Sequence, residues 1–277
     1  MRRKPPFIGA ADGDSLCEAS FLVKLGDNEM VKAIPGQEAM KQEKRGALRQ
    51  LEPEGLAPEG PKWQQRKSSQ TRTAILEAAI DCLEKNGYAQ TTMQTIAEAA
   101  RISRGAMTHH YASKQELISA VTDYLFYKRM EILVKGITGL TDTQRVKENL
   151  GVEVVWENYF TQEYRAHLEL MVAARTDAEL QRIFLPKAQR YGEIWRQELL
   201  NVFPEWREKL DILQHASDLI EASLQGMVLN SPVWNSPTRE ATVRAIVAMV
   251  VRMFRDGELS LPSKQAVNKF RPRARRK

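Results

Sequence analysis

The segment 91–116, TTMQTIAEAARISRGAMTHHYASKQE, constrains the fold of this chain more than any other stretch. Two short apolar periodicities lie close together, and Thr92, Ser103 and Ser113 stand where helices would begin. Small residues around Ala97 and Gly105 would let two helix axes approach closely. The pattern predicts two short helices joined by a tight turn, then the start of a third. This is a helix-turn-helix, whose second helix can enter a DNA major groove.

Helices are also predicted on both sides of this motif. Before it, apolar residues recur from Ile75 to Leu83 at helical spacing, and Gly87 suits a left-handed helix end. After it, Ser113 caps a helix whose inner face runs from Leu117 to Phe126. The chain thus begins its ordered part with three helices and a fourth that leads away from them.

The remainder predicts five further helices and no strand pattern. Gly136, Gly139, Pro204, Pro232 and Pro237 mark the expected gaps, and Pro186 is expected to kink a helix or restart it after a break. The predicted helices lie roughly at 142–160, 163–175, 177–203, 206–229 and 238–256. The fold class is therefore all-α, with an N-terminal three-helix DNA-binding domain joined to a C-terminal helical bundle.

The net charge of +6 is unevenly distributed along the chain: residues 66–130 carry +3, residues 131–263 carry −4 and residues 264–277 carry +7. A basic module beside an acidic body fits a nucleic-acid binder with a separate second domain, although +3 alone is weak support. The sequence pattern predicts four regions. Residues 1–65 are a mostly disordered extension with a short helix near 37–50, and residues 66–130 are the DNA-binding domain with its connecting helix. Residues 131–258 are the helical ligand-binding and dimerisation domain, and residues 259–277 are a basic disordered tail.

The second helix of the motif, at 104–111, is expected to present hydrogen-bonding side chains outward. Met107, with His110 or Tyr111, faces inward in this interpretation. Arg104, Thr108 and His109 then lie on the outer face, where base and phosphate contacts need such groups. For His109 the alternative is an ordinary surface histidine.

Phosphate contacts are predicted at two helix starts. Thr91 or Thr92 would offer a hydroxyl and backbone N–H groups to a phosphate. Lys114 lies in the first turn of a helix, where a cation is unfavourable, so a phosphate partner would explain it. The alternative is a solvated charge.

The order of an apolar helix, NGY, TT, IAEAA, IS, RGA, HHY, SK and EL over about 69–130 resembles the DNA-binding domain of TetR-type transcriptional regulators. The resemblance covers the three-helix unit and the start of the fourth helix. It implies that an aromatic residue at Tyr111 packs the motif together. The DNA-binding set that it implies is Thr91, Thr92, Arg104, Gly105, Thr108, His109, Tyr111 and Lys114.

Two residues depart from the family pattern. Arg101 stands where these regulators often have glycine in the turn, and a left-handed arginine costs about 1 kcal/mol relative to glycine. Thr108 stands where a tyrosine is common, which shortens or removes a phosphate contact. Either Arg104 or His109 would then compensate.

The helices at 206–229 and 238–256 are too apolar to be covered by one domain alone. An apolar helix must be covered on all sides, and a two-fold dimer of helix pairs would supply the missing cover. The alternative is burial within one subunit. The expected interface comprises Leu219, Leu224, Met227, Val243, Val247, Val250 and Phe254.

Large side chains cluster in residues 156–195 and predict a pocket for a small, apolar or aromatic effector. The alternative is that they form an ordinary core. The expected pocket residues are Trp156, Phe160, Tyr164, His167, Met171 and Trp195.

These features favour a homodimeric regulator that binds a palindromic double-stranded DNA operator and responds to an effector, most often as a repressor. The resemblance implies that the effector changes the spacing of the two recognition helices. The alternatives are a non-specific or architectural DNA-binding protein, or an enzyme with an accessory DNA-binding module. The sequence has no phosphate loop, nucleophile elbow or HExxH motif. We expect no catalytic residue, cofactor, metal or membrane segment, and a cytoplasmic location.

Overall fold

The structure, a computed structural model, describes residues 46–56, 63–138, 152–234 and 236–269. Within these ranges the chain is helical and has no strand, so the predicted all-α class is confirmed. No helix among the described residues is both long and apolar enough to cross a membrane. The helices are α1 (46–51), α2 (Trp63–Gln90), α3 (Met93–Ala99), α4 (Arg104–His110), α5 (Lys114–Thr138), α6 (Val152–Tyr159), α7 (Gln162–Ala173), α8 (Ala178–Val202), a 3-10 helix (Pro204–Lys209), α9 (Leu210–Trp234), α10 (Pro237–Asp256) and α11 (Lys264–Lys269).

Helices α2 to α4 and the start of α5 form the predicted three-helix unit around one buried cluster. Ile75, Ile96, Met107 and Leu117 are all removed from solvent, one from each helix. The hydroxyl of Thr92 accepts from the backbone N–H of Thr95, whose own hydroxyl accepts from the N–H of Thr92. Such a capping box fixes the start of α3, and Ser103 caps α4 in the same way through Ala106.

The end of α2 depends on one glycine. Gly87 has φ 72° and ψ 169°, a conformation essentially restricted to glycine, and it breaks the helix three residues before its nominal end. A Cβ atom at this position would also lie 3.2 Å from Oε2 of Glu169 in α7. The predicted left-handed helix end at Gly87 agrees in the sign of φ, but ψ is extended rather than left-handed helical. The turn that follows aims the chain into α3.

The C-terminal body is built around α5, which leaves the three-helix unit and packs against α6, α7 and α8. Helix α7 also packs along α2, and α9 and α10 form an antiparallel pair beside α6. The apolar stripes on these helices therefore meet in one core that continues from the three-helix unit into the body.

Helix α1 at 46–51 overlaps the short helix predicted near 37–50, but the order of residues 52–56 was not predicted. Residues 46–56 are folded against the body: Ala47 is buried, and Nη2 of Arg190 in α8 donates to the carbonyl of Gln50 at 2.6 Å. The hydroxyl of Ser69 in α2 donates to the carbonyl of Leu56. The alanine and leucines of this short segment find an apolar surface that its local sequence does not reveal. Of the rest of the predicted extension, residues 1–45 and 57–62 lie outside the described residues, and residues 63–65 belong to α2.

The predicted gap at Pro232 and the alternative of a helix restart at Pro186 are wrong, whereas a kink at Pro186 stays a prediction. Helix α8 continues through Pro186, and α9 continues through Pro232 to Trp234. A proline removes one backbone hydrogen bond, and packing of α8 on α5 holds the helix together despite that loss. In the predicted tail, residues 264–269 form α11, whereas residues 270–277 and the expected helix start at 142 lie outside the described residues.

Candidate functional site

Helix α4 presents a polar face to solvent. Arg104, Gly105, Thr108 and His109 are exposed, whereas Met107 is completely buried against the three-helix core. The hydroxyl of Thr108 shares its proton between the carbonyls of Arg104 and Gly105, both at 3.1 Å. Its lone pairs and methyl group stay open to a partner. The exposed set matches the outer face predicted from the sequence.

Two members of the predicted DNA-binding set lie inside the protein instead. Thr91 is fully buried, and its hydroxyl donates to the carbonyl of Gly87 at 2.8 Å, so it cannot meet a phosphate. The exposed cap of α3 is Thr92. Tyr111 is also buried and supports α4 from beneath, which agrees with its packing role and removes it from the surface. The spacing in the sequence could not show that Thr91 and Tyr111 point inward, because a residue at a helix boundary can point either toward the core or toward solvent.

Lys114 is held at the junction between the three-helix unit and the body. Its Nζ donates to the carbonyl of Tyr88 at 3.2 Å and lies 4.3 Å from the centre of the Tyr88 ring. Burial lowers the pKa of Lys114, while the nearby Asp177 acts against that shift. The cation in the first turn of α5 is therefore stabilised by the protein itself. The phosphate contact stays a prediction.

Arg101 has φ 57° and is the one non-glycine residue with a positive φ among those that the structure describes. It lies in the turn between α3 and α4. The N–H of Ile102 donates to the carbonyl of Ala97 at 3.0 Å, which closes this turn. The departure from glycine noted in the sequence is thus a backbone conformation that arginine adopts at a cost.

A cavity of about 260 Å³ lies in the C-terminal body between α5, α6, α7, α8 and α9. Of the predicted pocket residues, His167, Met171 and Trp195 line it. The other three do not, because the ring of Trp156 packs on Phe160 at 4.6 Å and Tyr164 is buried beneath His167. Tyr159, Phe184 and Tyr191, which belong to the cluster of large side chains in 156–195, also line the cavity. The apolar lining residues outside that cluster include Phe126, Leu199 and Phe203.

Polar groups line the same cavity from three helices. Arg129 of α5, Asn158 of α6 and His167 of α7 are all buried. Burial, and then the charge of Arg129, lower the pKa of His167 well below its usual value, so its imidazole is neutral near pH 7. Arg129 was missed by the sequence analysis. A signal existed, because it follows Ile118, Thr122 and Leu125 on one buried stripe of α5.

Direct contacts join the body to the three-helix unit. The hydroxyl of Tyr88 donates to Oδ2 of Asp177, the N-cap of α8, at 3.4 Å. Nε of Arg165 in α7 donates to Oε1 of Glu84 in α2 at 2.8 Å. Helices α7 and α8, which line the cavity, therefore contact the helix that supports α3 and α4.

The predicted dimer residues divide between the inside and the outside of the helix pair. Leu224, Met227 and Val247 are buried within this chain, so their assignment to an interface is wrong. Leu219 is more than one-third exposed, and Val243, Val250 and Phe254 are half-buried. The exposed apolar side chains of this pair are instead Leu219, Leu229, Val233, Ile246 and Met249.

Comparison with known proteins finds similarity for the three-helix unit. Residues 75–121 match the family model of bacterial regulatory proteins, tetR family. The chain is 42% identical over 59 residues to the HTH-type transcriptional regulator TtgR of Pseudomonas putida, covering 21% of this chain and 28% of TtgR. It is 22% identical over 173 residues to the uncharacterized HTH-type transcriptional regulator YerO of Bacillus subtilis, covering 58% of this chain and 57% of YerO. The chain thus spans about half of YerO and a smaller share of TtgR.

The fold of about two thirds of the chain has a solved counterpart. A putative TetR-family transcriptional regulator from Rhodococcus sp. superposes with a TM-score of 0.52 at 14% identity, covering 68% of this chain and all of that one. At this identity the likeness establishes the fold alone. It extends the similarity from the three-helix unit to the helical body.

Proposed function

We propose, from the similarity of residues 75–121 to bacterial regulatory proteins of the tetR family, that this chain is a sequence-specific DNA-binding transcriptional regulator. The observation that carries the proposal is the exposed polar face of α4, with Arg104, Thr108 and His109 held outward by the buried Met107. A short helix presented in this way can lie in a major groove. The protein acts as a binding protein in the cytoplasm, not as an enzyme.

The proposed regulator is a homodimer on a palindromic operator. Helices α9 and α10 expose the apolar side chains of Leu229, Val233, Ile246 and Met249, and a second copy would cover them. A two-fold axis then presents two copies of α4 to successive major grooves, about 34 Å apart or a multiple of that distance. The spacing between the two half-sites is fixed by this geometry.

A small effector in the body would act on DNA binding through α5. This helix carries Lys114 beside the three-helix unit. Arg129 lies at the cavity roughly 22 Å further along the helix, with Phe126 just before it. In one arrangement of the dimer the two α4 helices reach both half-sites, and in another they do not. A ligand lowers operator affinity only if it binds the second arrangement more tightly than the first. The proposed mode of action is therefore repression that the effector relieves.

Selection of bound DNA from a random pool tests this function. The full-length protein should enrich an inverted repeat, because two identical helices meet the operator about a two-fold axis. Half-site centres should be separated by about 10 base pairs or a multiple of that value. A pool without sequence enrichment would contradict the proposal and favour an architectural role, for which the basic tail is the supporting observation.

Substitutions on α4 test which face contacts the operator. We expect His109→Ala and Thr108→Ala each to weaken operator binding by about 1–3 kcal/mol, with unchanged thermal unfolding, because both side chains are exposed. Arg182→Ala, which removes an exposed cation from α8, is the matched control and should bind like the parent. Wild-type affinity in both α4 variants would show that another face meets the groove.

A further inference from the structure

The most unusual group in the body is the guanidinium of Arg129. It is only 6% exposed, and its Cζ lies 4.8 Å from the ring centre of Tyr164 and 5.1 Å from that of Tyr191. Among the residues that the structure describes, no carboxylate pairs with it, and its Nε has no hydrogen-bond partner. Glu221 lines the same cavity, but it is exposed to solvent, and its Oε1 accepts a hydrogen bond from Nε2 of Gln225 at 2.8 Å.

A buried cation in this state is not fully compensated. Removing a guanidinium from water is costly, and contacts with aromatic faces return only part of that cost. An ion pair with a carboxylate would add two parallel hydrogen bonds that match the planar guanidinium. The site is therefore built for an anion that the described part of the chain does not itself supply.

Three more buried polar atoms in this cavity lack partners within the described ranges. They are Oδ1 of Asn158, Nδ1 of His167 and the hydroxyl oxygen of Tyr191. Each belongs to a residue that is more than nine-tenths buried and lines the cavity with Arg129. Buried polar groups in proteins are normally satisfied, so four orphaned atoms around one cavity indicate a missing polar ligand.

One side of the cavity is aromatic and indicates the body of that ligand. The ring of Phe126 stacks on Tyr191 at 4.7 Å, and Phe184 and Trp195 complete the same side. An apolar cavity of about 150 Å³ is enough for benzene. The 260 Å³ here leaves room for one or two rings with a short acidic group.

We propose that this cavity binds a small aromatic carboxylate, whose carboxylate pairs with Arg129 and whose ring lies against Phe126, Tyr191 and Trp195. The inference rests on the proposed function insofar as such an acid would be the effector. Tyr191 can donate a further hydrogen bond to the carboxylate, and Asn158 and His167 can meet a second polar substituent. Because Arg129 is on α5, the bound anion acts directly on the helix that begins at Lys114.

Matched acids and amides test the charge requirement on the full-length protein. The probes are benzoate, phenylacetate and 2-naphthoate against benzamide, phenylacetamide and 2-naphthamide, measured by calorimetry and by the shift in Tm. At least one acid should bind and raise Tm, with at least about tenfold higher affinity than its amide. If no acid binds, or if amides bind as well as acids, the proposal is wrong.

Two arginine variants locate the anion site. Arg129→Met should abolish the preference for acid over amide and leave the Tm of the free protein equal or higher, since an uncompensated buried charge is removed. Arg182→Met is the matched control, because Arg182 is an exposed cation of α8 that does not line the cavity, and it should keep the preference. An unchanged preference in Arg129→Met overturns the assignment.

Operator binding by the free protein is measured separately and distinguishes the two proposals. Sequence-specific DNA binding without acid binding overturns this inference and leaves the proposed function intact. If the protein binds an acid but selects no DNA sequence, the proposed function is overturned and the assignment of the anion site stands.

Discussion

At the scale of single residues, Arg101 shows how a turn can be kept at a cost in stability. Its φ of 57° lies in the region that favours glycine. We expect Arg101→Gly to raise the free energy of unfolding by about 1 kcal/mol, measured by urea denaturation. Arg101→Ala keeps the Cβ atom and should give no such gain. A gain in both variants would trace the effect to loss of the charge rather than to the backbone.

His167 makes stability depend on pH. Burial and Arg129 depress its pKa in the folded state, so the unfolded chain binds a proton first as the pH falls below about 6.5. Stability is complete above that value and declines below it, by about 1 kcal/mol between pH 7.5 and 5.5. Urea midpoints should therefore fall less in His167→Gln than in the parent. His215→Gln, which changes an exposed histidine, should follow the parent, and equal slopes in all three proteins would exclude His167 as the cause.

At the scale of elements, two adjacent residues of α10 separate association from folding. Ile246 is 51% exposed, whereas Val247 is 5% exposed. Because Ile246 shares the outer stripe with Met249, Ile246→Glu should yield monomers in sedimentation while keeping its helical circular dichroism. Val247→Glu buries a charge in the core and should unfold the body instead. A dimeric Ile246→Glu protein would rule out this face as the interface.

The helical elements themselves were largely predictable from the sequence. Thr92 and Ser103 cap helices through neighbouring backbone groups, and Gly87 ends one, so three or four residues contain the whole signal. Pro232 was misjudged because packing on other helices offsets the lost hydrogen bond. A short helix was predicted near 37–50, but the packing of residues 46–56 on the body was not, because it depends on Ser69, Arg72 and Arg190, which are distant in sequence.

At the scale of the whole molecule, charge is concentrated at one end of the chain. Residues 264–277 contain seven basic residues and no acidic residue. Deleting them should leave the selected DNA sequence unchanged and reduce the slope of log affinity against log salt, because fewer counterions are released. Titrations at several salt concentrations on operator and unrelated DNA measure both effects. Loss of sequence preference in the truncated protein would assign the basic tail a direct part in recognition.

Periodicity and capping residues by themselves determined that this chain forms a helix-turn-helix and a helical body. These signals are local, since each depends on residues a few positions apart. Only the tertiary structure decided which side of each apolar helix is covered, because burial depends on neighbours distant in sequence. In the folded chain Val247 points inward and Ile246 outward, and Thr91 is buried beside the exposed Thr92. Aromatic side chains from the packed helices lie against Arg129. The cavity and its unpaired cation thus result from packing between helices.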